Sequence, residues 1–211
     1  MGGFNRKDHW ENVYAQKAPT EVSWYQTNPA ISLELIASTG IGHLSKIIDV
    51  GGGASVLVDK LLDAGYRDVT VLDISTKAID YAKKRLGNRA DQITWEISDI
   101  TEFAPSCSYD LWHDRAVFHF LTDTEDRQKY VEVMKKAVQT GGHVIISAFA
   151  LEGPPKCSGL NVERYDVKKL ARELGKDFEF IRSMDEIHLT PGAKEQKFIY
   201  CHFMKLCTTN N

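Results

Sequence analysis

Apolar residues are clustered along this chain in a way that alternates between two periods. Short β-branched or aliphatic runs occur at Lys46 to Val50, Asp68 to Leu72, Gln92 to Ile97, Tyr109 to His113 and His143 to Phe149. Between them lie segments whose apolar positions recur every three or four residues: Val56 to Ala64, Ser75 or Thr76 to Leu86, and Asp126 to Val138. Runs of the first kind predict buried strands, and those of the second kind predict amphipathic helices. Gly65 and Gly87 stand where such helices should stop, and Ser75 or Thr76 can cap the second of them. Thr140-Gly141-Gly142 reads as a turn before the fifth strand. Strands that alternate with helices predict a mostly parallel sheet covered on both faces.

The two ends of the chain follow other patterns. Asn5 to Gln16 and Pro29 to Ser38 read as helices, separated by Pro19 and a Thr27-Asn28-Pro29 turn, and together predict an N-terminal lid over residues 1–40. Residues 45–150 form the alternating core. In residues 151–207, a loop rich in Gly and Pro precedes a helix near Val167 to Leu174. Two long strands follow, Phe178 to Leu189 and Gln196 to Leu206, joined at Thr190-Pro191-Gly192-Ala193 as an antiparallel hairpin. The expectation is one α/β domain over 1–211, Rossmann-like, with a C-terminal hairpin.

Composition narrows the function classes. Net charge is −3, and no basic run suggests a nucleic-acid partner; Lys83-Lys84-Arg85 and Lys168-Lys169 fall on predicted helices as solvated faces. No apolar stretch approaches the roughly 20 residues that span a bilayer, and Met1 to Gln16 lacks a hydrophobic signal core. Cys107, Cys157, Cys201 and Cys207 are scattered without a C-x-x-C pair, which favours reduced thiols over a metal or redox motif. A cytoplasmic protein without a metal, acting as a monomer or weak homodimer, is expected.

Candidate chemistry collects at the predicted strand ends. Asp49 precedes Gly51-Gly52-Gly53, where glycine permits close backbone approach to a ligand. Asp73 follows about twenty residues later at the end of the second strand, where a carboxylate can accept both hydroxyl hydrogens of a ribose; a helix cap is the competing role. The stretch Gly51-Gly52-Gly53-Ala54-Ser55-Val56 puts valine where the dinucleotide fingerprint needs a small residue. Asp49 is badly placed beside a pyrophosphate and well placed for a cofactor carrying an ammonium and a sulfonium. A nicotinamide-dependent oxidoreductase is therefore the weaker alternative, and a non-catalytic cofactor-binding scaffold is another. Asp99, in Ser98-Asp99-Ile100, can hold an adenine amine or serve only as a loop aspartate.

Asp49-Val50-Gly51-Gly52-Gly53, Asp73-Ile74, Ser98-Asp99-Ile100 and Tyr109 through Arg115 resemble, in order, the motifs of class I S-adenosylmethionine-dependent methyltransferases. The resemblance covers about Trp10 to Phe203 and implies a seven-stranded, mostly parallel sheet. Trp10-x-x-x-Tyr14 and Trp24-Tyr25 look like the lid of the group that includes the lysine methyltransferases of elongation factor 1A and citrate synthase. That likeness implies cofactor contacts at Trp10, Tyr14, Trp24 and Arg115, beside Asp49, Gly51, Gly53, Asp73, Ile74, Asp99 and Ile100. The aromatics suit a sulfonium by cation–π attraction; anchoring the lid is the competing role. The Asn/Asp-Pro-Pro-Tyr/Phe tetrad of adenine and glutamine amino-group methylases is absent. Paired cysteines after strand five are absent too, although Cys157 lies in that region.

Methyl transfer from a sulfonium chiefly requires orientation of the nucleophile. Candidate substrate-side groups are His119 and Asp114, followed by His113 and His188; Tyr165 and Gln196 are possible lining residues. The methyl acceptor stays open between a small molecule and a protein lysine.

Overall fold

The computed structural model describes residues 4–207. Two helices lead, α1 (Arg6–Gln16) and α2 (Ala30–Ser38). The core follows as β1 (Lys46–Val50), α3 (Leu57–Asp63), β2 (Asp68–Asp73), α4 (Thr76–Leu86), β3 (Ile93–Ile97), β4 (Tyr109–Arg115), α5 (Thr124–Ala137) and β5 (Val138–Phe149). A short hairpin, β6 (Lys156–Cys157) with β7 (Leu160–Asn161), precedes α6 (Val167–Leu174), β8 (Phe178–Leu189) and β9 (Glu195–Lys205).

The seven-stranded sheet runs β3-β2-β1-β4-β5-β9-β8. Pairings from β3 through β5 are parallel, whereas β9 pairs antiparallel with both β5 and β8. The Rossmann-like sheet and terminal hairpin expected from the sequence are both present. Consecutive side chains of a strand face opposite sides, so a sheet covered twice needs apolar residues at every position. Ile48, Trp112, Val144 and Ile146 face a core completed by Tyr130 and Met134 of α5 and Leu170 and Leu174 of α6. Their neighbours Ile47, Val69, Val71, Leu111 and Ile145 face a second core, completed by Leu35 and Ile36 of α2 and by Leu57, Val58 and Leu61 of α3.

Most element boundaries match the periodicity within two or three residues. The exceptions have tertiary causes. Thr140-Gly141-Gly142 is not a turn; it lies inside β5, which begins at Val138 opposite Tyr109. The register shifts between Tyr109 and Leu111, and Gly141 has φ +76°, so the glycines form an irregularity that keeps the strand paired. β4 also extends to Arg115, because Asp114 and Arg115 pair with Ile146 and Ser147 of β5.

β1 lies between β2 and β4, so the winding direction reverses there and a crevice opens at the carboxyl ends of these strands. The turn after β4 must leave the sheet sharply, with Ala116 at φ +73°. Asp114, fully buried, holds that turn: its carboxylate accepts from the Val117 and Phe118 amides at 2.8 and 3.1 Å. The Tyr130 hydroxyl of α5 donates to the same carboxylate at 2.6 Å and accepts from Trp112 Nε1 at 2.9 Å. Tyr130→Phe should cost about 1–3 kcal/mol, because both partners stay buried after the hydroxyl is gone; urea unfolding of the two proteins checks this, and equal midpoints would refute the bracing role.

Candidate active site

The crevice opens to solvent, with about 840 Å³ of empty space counted out past its mouth. Its lining runs along the strand ends. Ser98, Asp99 and Ile100 come from the β3 end, Leu72, Asp73 and Ile74 from β2, Val50 and Gly51 from β1, and Arg115 through Val117 with His119 through Leu121 from β4. Phe198 of β9 and Cys157 of β6 close the far side, while Arg6, Trp10, Tyr14 and Trp24 of the lid form the roof. A smaller adjoining pocket is lined by Asp49, His113, Ser32, Ser55, Gln26 and Arg115, among others.

The glycine turn leaves no room for side chains. A Cβ at Gly51, which has φ +68°, would lie 2.1 Å from Val117 Cγ2. One at Gly53 would lie 2.4 Å from Asp73 Oδ2 and 2.6 Å from the Ala78 Cβ. The reason is that Asp73 ties the two turns together: Oδ2 accepts from Gly53 N at 3.0 Å and Oδ1 from Ser75 N at 2.8 Å. Capping of α4 falls instead to Ser75, whose hydroxyl accepts from Ala78 N at 3.2 Å. Burial pushes the Asp73 carboxyl up to about 7 against the lowering effect of those two amides, with Asp49 and Glu11 adding repulsion.

Asp49 is also buried. Its Oδ1 lies 2.7 Å from His113 Nδ1, and His113 Nε2 lies 2.9 Å from the Ser32 hydroxyl of α2. The other oxygen, Oδ2, is buried without a partner. An unpaired carboxylate oxygen inside a protein is costly and fits a cationic donor. Asp99 is more committed: Oδ1 accepts from the Thr101 amide and hydroxyl at 2.9 and 2.8 Å, and Oδ2 from Arg6 at 3.1 Å.

The lid is fastened at both ends. Arg6 pairs with Asp99 and with Asp126 of α5, and Glu11 accepts from the Thr76 amide at 2.6 Å at the start of α4. At the other end, Arg115 Nη1 donates to Trp24 O at 2.9 Å, His188 Nε2 donates to Ser23 O at 2.7 Å, and Gln26 donates to Glu186 at 2.6 Å. Trp10 meets Trp24 and Phe120 edge to face at 5.7 and 4.9 Å.

The fold thus brings Trp10, Tyr14, Trp24, Gly51, Asp73, Ile74, Asp99, Ile100, Arg115 and His119 to one cavity, with Asp49 in the adjoining pocket. Gly53 lies against Asp73 behind the lining. Asp114, expected on the substrate side, does not line the cavity: its carboxylate is spent on the turn, so it is a structural brace. Tyr165, Gln196 and His188 also stay outside the main lining. His119 lines it, and burial with the Arg115 charge lowers its imidazole to about 3, so the ring is neutral near pH 7. Sequence reasoning missed Arg6, Phe120 and Phe198, which reach the cavity only through tertiary packing; Cys157 was noticed without a place.

The sheet order and the strand-end cavity define a class I methyltransferase fold. Residues 47–142 match the methyltransferase domain family. That match spans a little under half of the chain. It is similar to the eEF1A lysine and N-terminal methyltransferase of Mus musculus, 28% identical over 154 residues, which are 70% of this chain and 22% of that protein. Nodulation protein S of Rhizobium tropici is 27% identical over 114 residues, 54% of this chain and 47% of that protein. The chain therefore spans less than half the length of these curated relatives. The N-methyltransferase NodS of Bradyrhizobium japonicum WM9, solved with S-adenosyl-L-homocysteine, superposes with a TM-score of 0.71 at 18% identity, covering 94% of this chain and 99% of that one. Among the described residues, no helix is long and apolar enough to cross a membrane.

Gly53→Ala should destabilise the protein by about 1–3 kcal/mol, the usual cost of overpacking. Gly42→Ala, where an added Cβ meets nothing within 4 Å, should stay within about 0.5 kcal/mol. Denaturant titration of both variants gives the comparison, and equal midpoints would show that the turn tolerates a side chain.

Proposed function

We propose that this chain binds S-adenosylmethionine across both pockets and transfers its methyl group in line to a small-molecule nucleophile. The observation that carries the reading is the buried, unpaired Asp49 Oδ2, set beside a glycine turn too tight for any side chain. A cofactor ending in an ammonium satisfies that oxygen, and Arg115 in the same pocket suits its carboxylate. Asp73 accepts from the ribose hydroxyls, Ile74 and Ile100 pack on the adenine, and Asp99 or its neighbouring amides take the adenine amine. Gly51 and Gly53 allow the backbone close. Trp10, Tyr14 and Trp24 present ring faces or edges near the sulfonium, a cation–π contribution of about 0.5–2 kcal/mol. When bound, the cofactor supplies an activated methyl group; the protein's work is orientation and exclusion of water.

A protein-lysine substrate is the second reading, favoured by similarity to the eEF1A methyltransferase. Enclosure of the cavity by Trp10 and Trp24 of the roof, with Phe120 packed against Trp10, favours the small molecule. The reading includes a cytoplasmic setting, in keeping with four free cysteines. It also includes a monomer or weak homodimer, and no nucleic-acid or membrane partner.

A labelled-methyl assay on lysate, separated into protein and small-molecule fractions, tests the choice; label confined to protein would favour the lysine reading. Calorimetry with S-adenosylmethionine and S-adenosylhomocysteine tests the cofactor, and absent heat with both would overturn the proposal. The Asp73 carboxyl adds a pH test. Because its value in the free protein is about 7, it is largely protonated below that pH, and the ribose requires the anion. Affinity should fall by about tenfold per pH unit below 7, with a proton released on binding. Asp73→Asn should bind weakly and without that slope. By the same shift, the contribution of Asp73 to stability is greatest below its unfolded value near 3.8 and is lost as pH rises through about 7.

A further inference from the structure

Both carboxylates of the cavity lining, Asp73 and Asp99, stand at its β2–β3 end. The opposite end, where β4 and β9 bring Arg115, His119, Phe120 and Phe198 against Cys157, has a different character. His119 has no exposed surface. Its Nδ1 accepts from the Phe149 amide of β5 at 3.3 Å, and an amide can only donate. The ring proton of the neutral imidazole therefore resides on Nε2, and this N–H is buried with no partner in the protein. An unsatisfied buried donor asks for a ligand lone pair.

The other polar groups at this end agree. Arg115 donates Nε to the Tyr200 hydroxyl at 2.8 Å and stacks over Phe198 at 4.7 Å. Glu186, the nearest acid to it at 3.5 Å, has both oxygens engaged, by Gln26 and by Tyr200. The Cys157 thiol is held neutral by burial, at about 11, with Ser23, Arg115 and Lys17 opposing the shift. His188 is turned to Ser23 O. His119 and Cys157, the neutral titratable side chains that line this end, are thus poorly suited to take a proton.

We propose that the methyl acceptor is a small nucleophile that arrives already deprotonated, a thiolate or another anion with several lone pairs on the attacking atom, and that His119 Nε2–H donates to that atom. One lone pair of a thiolate attacks while another accepts from His119. A neutral amine has a single lone pair, which cannot do both, and its methylation leaves a proton that neither His119 nor Cys157 is suited to take. For a thiolate the balance closes without proton transfer. Its electron pair forms the new S–CH₃ bond, the sulfonium S–CH₃ bond breaks with its pair returning to the cofactor sulfur, and opposite charges cancel in a dry pocket. This inference rests on the methyltransferase reading and specifies its substrate class.

The test uses the full chain saturated with S-adenosylhomocysteine and titrated by calorimetry with thiophenol, aniline and benzylamine, which share a ring and differ in the nucleophile. Thiophenolate should bind at least about tenfold tighter than either amine, and with S-adenosylmethionine the same order should appear in kcat/KM. Across substituted thiophenols, the pH midpoint of kcat/KM should follow the thiol's own ionisation. His119→Phe should weaken thiophenolate binding by about tenfold or more, and His119→Gln, which restores an N–H donor, should recover part of it. Amines bound or methylated as well as the thiol, or a pH midpoint that ignores the thiol, would overturn the proposal while leaving the methyltransferase reading intact. No heat with S-adenosylhomocysteine would overturn both.

Discussion

Three carboxylates buried at the ends of adjacent parallel strands set the terms for the rest of this molecule: Asp49 on β1, Asp73 on β2 and Asp114 on β4. A charge removed from water is tolerated only when donors surround it, and the donors here are mostly backbone amides of the very turns that leave the sheet. Asp73 joins the β1 and β2 turns, and Asp114 holds the β4 turn against α5. The turns are rigid because the carboxylates must be satisfied. Asp49 breaks the pattern, keeping one oxygen without a partner, and the proposed cofactor site rests on that exception.

The lid follows from the same economy. α1 is largely polar, with Tyr14 its buried residue, so it cannot be held by a broad apolar face. Its attachments are specific: Arg6 and Glu11 at one end, and the carbonyls of Ser23 and Trp24 at the other. Salt bridges of partly exposed groups contribute little individually. The sheet, by contrast, draws its stability from two apolar cores.

Arg115 connects these parts. It ends β4 and reaches the lid through Trp24, β9 through Tyr200 and the ring of Phe198, and β8 through Glu186. Its charge also helps keep His119 neutral, so the residue that latches the lid shapes the chemistry beneath it. His119, which suggests a base when read in the linear chain, becomes a donor once its Nδ1 meets the Phe149 amide.

Local pattern was enough for the sheet, its flanking helices, the terminal hairpin and the succession of strand-end motifs, because burial on two faces writes a continuous apolar run and because glycines and aspartates mark the turns. Asp49, Asp73 and Asp99 were legible since their positions follow directly from where strands stop. Tertiary structure alone decided what the side chains do there. It spent Asp114 on a turn, assigned the His119 proton to Nε2, carried β5 through its glycines to keep pairing with β4, and brought Arg6, Phe198 and Cys157 into one cavity. Each of these outcomes depends on a partner many residues distant, and one-dimensional periodicity holds no information about which remote donor will meet a given acceptor.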